Sequence, residues 1–379
     1  MTENIQTTSF VHQLTIAMGL MALTSLAHRG VCELMSTSSK KKLNFCDLVA
    51  YKNIDLQGQV LYRELWNNLI PTLRKHQVIL WDYDGEKQRP PNGDMPIKDN
   101  YIYLVDTGPS GLALLATYLP PDGLSHAARS TNALPRDIFL RIIAAGTQGR
   151  MHLGILRDLC VRPDILYSNN HILPMIQEIS VGDFTIGVFP RTLYTLLDAV
   201  VHSRVSGDKT SFEDILYLLL QALEGIHHIH CKGVAHCDMF LDNLAIEWIP
   251  QSLVKASTTS RPRVYLINFD KAIQFTQESQ PSERLVHDRP LPAVTTVYYR
   301  ADAPELSQKG PYCPFRLDMW QFGYFLQKYY MTTIPEIDQL WADLVTPKPE
   351  ERPTALEAMN RLNEFISSTT RSSLQIGFA

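Results

Sequence analysis

Apolar residues at helical spacing open the readable part of the chain. Leu65, Leu69, Ile70 and Leu73 predict a short helix within residues 64–75, interrupted by Pro71. A Pro/Gly/Asp-rich break follows at 82–99, and the pattern then changes to period two, which predicts strands at 101–105, 112–118 and 138–143. Between the first two, Thr107, Gly108, Pro109, Ser110 and Gly111 read as a turn. A helical stretch at 149–159 precedes two more strand candidates, 172–179 and 184–189. The second half is different. Ser211, with Asp214 three residues later, reads as a capping box, after which Ile215, Leu216, Leu219, Leu220, Leu223 and Ile226 line one helix face and Gly233 supplies a stop. Short strands at 244–246 and 264–267 flank the Ser/Thr/Pro-rich stretch 252–262, and further helices start near Leu317, Ile334 and Thr354. The pattern is a sheet-rich first half with one inserted helix, followed by a helical second half.

Composition narrows the class. Of 379 residues 45% are apolar and 20% charged, which excludes fibrous and wholly disordered chains, and the length allows two compact units. Thirty-five Lys and Arg against 39 Asp and Glu give a net charge of -4, with no cation block beyond Lys40, Lys41 and Lys42, so a nucleic-acid surface is not expected. Six scattered cysteines without a Cys-x-x-Cys pair suggest reduced thiols in a cytoplasmic or nuclear protein. The apolar run 14–27 is too short to span a bilayer and is preceded by Glu3 with no Lys or Arg, so neither secretion nor membrane insertion is expected. His227, His228, His230, Cys231, His236 and Cys237 crowd the end of the long helix; the His227/His230 spacing suits a helix C-terminus better than a metal.

The chemistry is carried by one ordered series. His236, Asp238 and Asn243 fit H-x-D-x-x-x-x-N, in which an Asp accepts the proton of an attacking hydroxyl and an Asn binds magnesium beside phosphates. Downstream come Asn268-Phe269-Asp270 at a strand end, Ala303-Pro304-Glu305, Asp318-x-Trp320-x-x-Gly323, and a Pro-rich stretch at 349–355 containing Arg352. In this order the motifs resemble the eukaryotic protein kinase superfamily over residues 211–365, in the style of divergent fungal kinase-like proteins. The resemblance implies an α+β, two-lobed protein-kinase-like fold with a small β-rich N-lobe (101–190) and a larger helical C-lobe (191–366), leaving 1–100 as an unassigned, partly helical extension and 367–379 as a tail.

The resemblance also assigns roles. It implies a buried Glu305–Arg352 ion pair anchoring the activation segment, and an Asp318 that accepts backbone N–H bonds around His236 and Cys237. In the N-lobe it places Arg141 where the phosphate-holding lysine stands, His152 at the position of that lysine's glutamate partner, and Val188, Phe189 and Pro190 at the hinge. Gly108 and Gly111 do not complete a glycine-rich loop.

Several charges that the reaction needs are missing. Asn268 replaces the magnesium-binding aspartate, Phe240 stands where a phosphate-directed lysine is usual, His152 is no counter-anion, and Cys237 replaces an arginine that grips activation-loop phosphate. Switching through Thr295 or Thr296 is therefore not expected. Asp270 offers a substitute metal ligand beside Asn243 and Asn268. The expectation is a pseudokinase acting by nucleotide or partner binding, with ATP and magnesium as possible cofactors and an unidentified protein as partner or substrate. The alternative is a weakly active, ATP-dependent serine/threonine protein kinase using Asp238 and Asn243. A small-molecule phosphotransferase would share the loop but not Ala303-Pro304-Glu305 or the Asp318 helix.

Overall fold

The computed structural model describes residues 56–91, 97–98, 101–102, 118–120, 122–133, 135–192, 194–205, 212–246, 262–290, 300–308 and 310–374. The apolar run 14–27, the Gly108/Gly111 turn, most of the strand expected at 112–118, Ser211, Thr295 and Thr296 lie outside them.

The first helix, α1 (Leu56–Lys75), continues through Pro71 instead of being interrupted by it. Leu65, Trp66, Leu69 and Leu73 form a buried stripe on α1, and their burial offsets the hydrogen bond and steric room that an internal proline costs. They pack on one face of an antiparallel five-stranded sheet: β1 (Val78–Leu80), β2 (Ser125–Ser130), β3 (Arg136–Ala145), β4 (Gln177–Val181) and β5 (Phe184–Pro190), in spatial order β1-β2-β3-β5-β4. Residues 56–91, left as extension on sequence, thus supply the sheet's edge strand and the helix that covers it. The strand expected at 172–179 begins only at Gln177; Ile172 makes an isolated parallel bridge to Leu266.

Residues 81–124 join β1 to β2 and include a small hairpin, Asp82–Asp84 with Lys87–Arg89. After β3, Gly149 turns the chain into α2 (Arg150–Leu159) with φ +71°, and a Cβ there would meet the Ile143 carbonyl oxygen at 2.1 Å, so only glycine fits. Val188 and Phe189 lie inside β5 instead of in a connecting hinge: Val188 belongs to the sheet core and Phe189 to the second core. The chain leaves the sheet at buried Arg191, whose guanidinium lies 4.2 Å from the Trp81 ring centroid.

The second unit is mostly helical. It contains β6 (Tyr194–Thr195), α3 (Leu196–Val205), α4 (Phe212–Cys231), β7 (Val234–Ala235), β8 (Leu244–Ile246), β9 (Val264–Leu266) and β10 (Ile273–Gln274), followed by α5 (Pro314–Tyr329), α6 (Pro335–Leu344) and α7 (Ala355–Ser368). The stripe Ile215, Leu216, Leu219, Leu223 and Ile226 of α4 is fully buried at the centre of the larger core. Thr354 caps α7 with Glu357 in a reciprocal capping box. The whole is a two-lobed, kinase-like α+β fold. Among the described residues no helix is long and apolar enough to cross a membrane.

Candidate functional site between the lobes

The site is built where three short segments meet: the loop after β7, the turn after β9 and the middle of β3. Asp318 on α5, fully buried, accepts hydrogen bonds from the backbone N–H of His236 (2.8 Å) and of Cys237 (2.7 Å) and from His230 Nε2 (2.9 Å). The Cys237 carbonyl accepts from Gln321 Nε2 at 3.0 Å, and the Met239 N–H donates to Gln321 Oε1 at 2.8 Å. These bonds hold Cys237 in the left-handed region, φ +61°, at a cost of roughly 1 kcal/mol. Burial pushes the His236 pKa down, so its imidazole is neutral, and Nε2–H donates to the Ile267 carbonyl at 2.8 Å while the ring packs edge-on to Phe269.

That scaffold presents Asp238, which is almost completely buried. Its Oδ1 accepts from Arg300 Nε at 2.9 Å and Lys271 Nζ at 3.0 Å, and its Oδ2 from Arg300 Nη2 at 3.3 Å. Burial alone would raise its pKa, but the charges of Arg300 and Lys271 outweigh burial and bring it to about 2. Arg300 also holds Asp242 at 2.7 Å and lies over the Phe240 ring. Neither cation belongs to the motif around Asp238, and sequence reasoning missed both. Lys271 directly follows Asp270 in the chain, a basic neighbour that could have flagged it.

A folded-state pKa below the ordinary carboxylate value adds stability that is full above about pH 4 and lost as the pH falls toward 2, about 2 kcal/mol for this group. Asp238→Asn is expected to flatten that part of the acid limb in urea melts recorded between those pH values; an unchanged acid limb would show that Arg300 and Lys271 do not hold the carboxylate.

The second half of the site crosses the lobes. Asn243 Nδ2 donates to the Asp238 carbonyl at 2.6 Å, and Asn268 Nδ2 donates to Asn243 Oδ1 at 3.1 Å. Asn268 adopts φ +65°, a conformation asparagine tolerates, and its Oδ1 accepts from Arg141 Nη2 at 3.3 Å. Arg141, on β3, bonds Asp270 directly, Asp122 Oδ2 at 3.2 Å and Ser125 Oγ at 2.8 Å. Asp270 is thus an interlobe ion-pair partner, not a solvated turn carboxylate. His152 lies on α2, which packs on the Phe269–Lys271 turn; burial lowers its pKa although Asp270 opposes the shift. Glu305 and Arg352 form a buried bidentate pair at 2.5 and 2.7 Å.

A magnesium ion takes six oxygens in near-octahedral array. As arranged, one lone pair on each of the Asn243 and Asn268 oxygens accepts an N–H and Asp270 bonds the Arg141 guanidinium, so a magnesium ion would have to share or displace these contacts. Among the described residues no three His, Cys, Asp or Glu side chains are gathered in a metal-holding group.

No family model matches the chain. A curated relative, the serine/threonine-protein kinase HAL5 of Candida glabrata, is 25% identical over 220 residues, covering 56% of this chain. The chain spans only 24% of that protein's length. The weak sequence likeness and the two-lobed fold together support a distant kinship with the protein kinase superfamily, short of a match to any particular member.

Proposed function

We propose that the chain is a kinase-like binding or regulatory protein in which phosphoryl transfer is impaired. The observation that carries this reading is the cleft's internal charge balance. Asp122, Asp238, Asp242 and Asp270 are paired within it to Arg141, Lys271 and Arg300. Phosphoryl transfer works by charge neutralisation, with cations directed at phosphate and carboxylates at metal. Here each set is directed at the other. With a pKa of about 2 and both oxygens engaged, Asp238 is also a weak base toward a hydroxyl.

Thermal shift of the purified protein with ATP, with and without magnesium, tests the proposal. The expected result is no magnesium-dependent rise in Tm; a rise that Asp270→Ala abolishes would overturn it.

A second reading, a weakly active ATP-dependent serine/threonine kinase, is favoured by one observation. Lys271 puts an ammonium on Asp238, two residues before Phe240, the position where the expected lysine is lacking. The name of the HAL5 relative points the same way. In this reading Arg141 would move from Asp122 and Asp270 to the phosphates, and autophosphorylation would disappear in Asp238→Asn.

A further inference from the structure

Arg141 meets its partners with two different nitrogens. Nη2 bonds Asp270 and Asn268, from the turn after β9, whereas Nη1 bonds Asp122 Oδ2 and Ser125 Oγ. Asp122 stands at the far end of the 81–124 connection, just before β2 begins at Ser125. Its side chain is 6% exposed, against 12% for Arg141 and 32% for Asp270, so Asp122 holds the inner side of the guanidinium and Asp270 the outer.

Three kinds of donor converge on that one buried carboxylate. Oδ1 accepts the Leu124 N–H at 3.1 Å and the Ser125 hydroxyl at 2.9 Å, and Oδ2 accepts Arg141 Nη1 at 3.2 Å. A backbone N–H, a hydroxyl and a guanidinium directed at one point form a receptor for an oxyanion. The donors do not depend on Asp122 for their positions. The Gly123 carbonyl accepts from Trp66 Nε1 at 3.1 Å, the Leu124 carbonyl from the Ile142 N–H at 2.8 Å and the Ser125 carbonyl from the Tyr62 hydroxyl, while Asp270 keeps Nη2 of Arg141. Withdrawing the carboxylate therefore leaves the same donors in place around a site that lacks its anion.

We infer that Asp122 is a tethered anion that shuts a phosphate-binding site on Arg141, an autoinhibitory contact carried by the chain between β1 and β2. This rests on the reading of the cleft as internally charge-balanced and identifies the group that keeps it so. A covalently attached carboxylate competes at an effective concentration of roughly millimolar or more, which suppresses a weakly bound phosphate ligand. A ligand that displaces it takes over Arg141 Nη1, the Ser125 hydroxyl and the Leu124 N–H.

Inorganic pyrophosphate without magnesium is the probe, with its affinity for the full chain read from thermal-shift titrations at constant ionic strength. Asp122→Ala should bind it about tenfold more tightly than the parent, through the charge-assisted bonds that the variant releases. Asp122→Asn keeps an acceptor for the Leu124 N–H and loses only the charge, so it should fold as the parent does and gain affinity in the same direction. Adding Arg141→Gln to either variant should remove the gain. Equal affinity in the parent and in Asp122→Asn, or a gain that survives Arg141→Gln, would overturn the assignment. The outcome is separable from the test of impaired transfer: a magnesium-dependent ATP rise in the parent bears on that reading, whereas the pyrophosphate comparison needs no magnesium.

Discussion

Glu305→Ala is expected to lower the stability of the protein by about 3–5 kcal/mol, because it strands the Arg352 guanidinium in a site where its side chain is 0% exposed. Arg352 also donates to the Thr346 carbonyl at 2.8 Å and the Arg316 carbonyl at 3.1 Å. Those two bonds keep the guanidinium in place, so it cannot turn out to water when its carboxylate is removed. Urea unfolding at neutral pH measures the loss. Replacing both partners by apolar residues of similar volume should recover part of it, since most of the cost is the uncompensated charge and not the value of the pair itself. A loss below about 1 kcal/mol for Glu305→Ala, the range of surface pairs, would show that the pair is hydrated in solution.

Asp318→Ala should cost about 3 kcal/mol by the same measurement. It removes one acceptor group from two backbone N–H donors and from His230, and each buried donor left unpaired costs roughly 1–3 kcal/mol. The effect reaches beyond stability, because those N–H groups belong to His236 and Cys237, directly before Asp238 in the chain. Amide hydrogen exchange at both residues should accelerate in Asp318→Ala. Asp318→Asn, which keeps one acceptor oxygen, should fall between the variant and the parent. Equal exchange in all three proteins would contradict the assignment of Asp318 as the anchor of this loop.

The helical lobe was legible in the sequence because its information is ordered along the chain. The α4 stripe repeats at helical spacing, and short motifs follow one another from His236 to Arg352. The sheet lobe was less legible for physical reasons. Its edge strand, Val78–Leu80, is too short for an alternation to register, and the polar, proline-rich segment after it resembles an ordinary break. Pro71 argued locally for an interruption that burial of Trp66, Leu69 and Leu73 overrides. The candidate site divides in the same way. Residues within a motif could be named from spacing, whereas Lys271 and Arg300 reach Asp238 from segments whose positions only the fold determines. Counting charges along the motif therefore gave a more depleted site than the one the fold assembles.

The long excursion 81–124 between β1 and β2 also bears on the order in which the molecule assembles. Strands β2 and β3 are joined by residues 131–135, so their pairing needs little chain closure, while β1 can pair with β2 only after the whole excursion has been closed. Closure entropy grows slowly with loop length, but β1 repays it with only three residues of ladder and the apolar stripe of α1. The helix and edge strand are therefore expected to dock late on a four-stranded sheet, and pulse-labelled amide exchange should protect β2 and β3 before β1. By the same energetics, native-state amide exchange is expected to be faster in β1 than in α4, and equal rates would contradict this order.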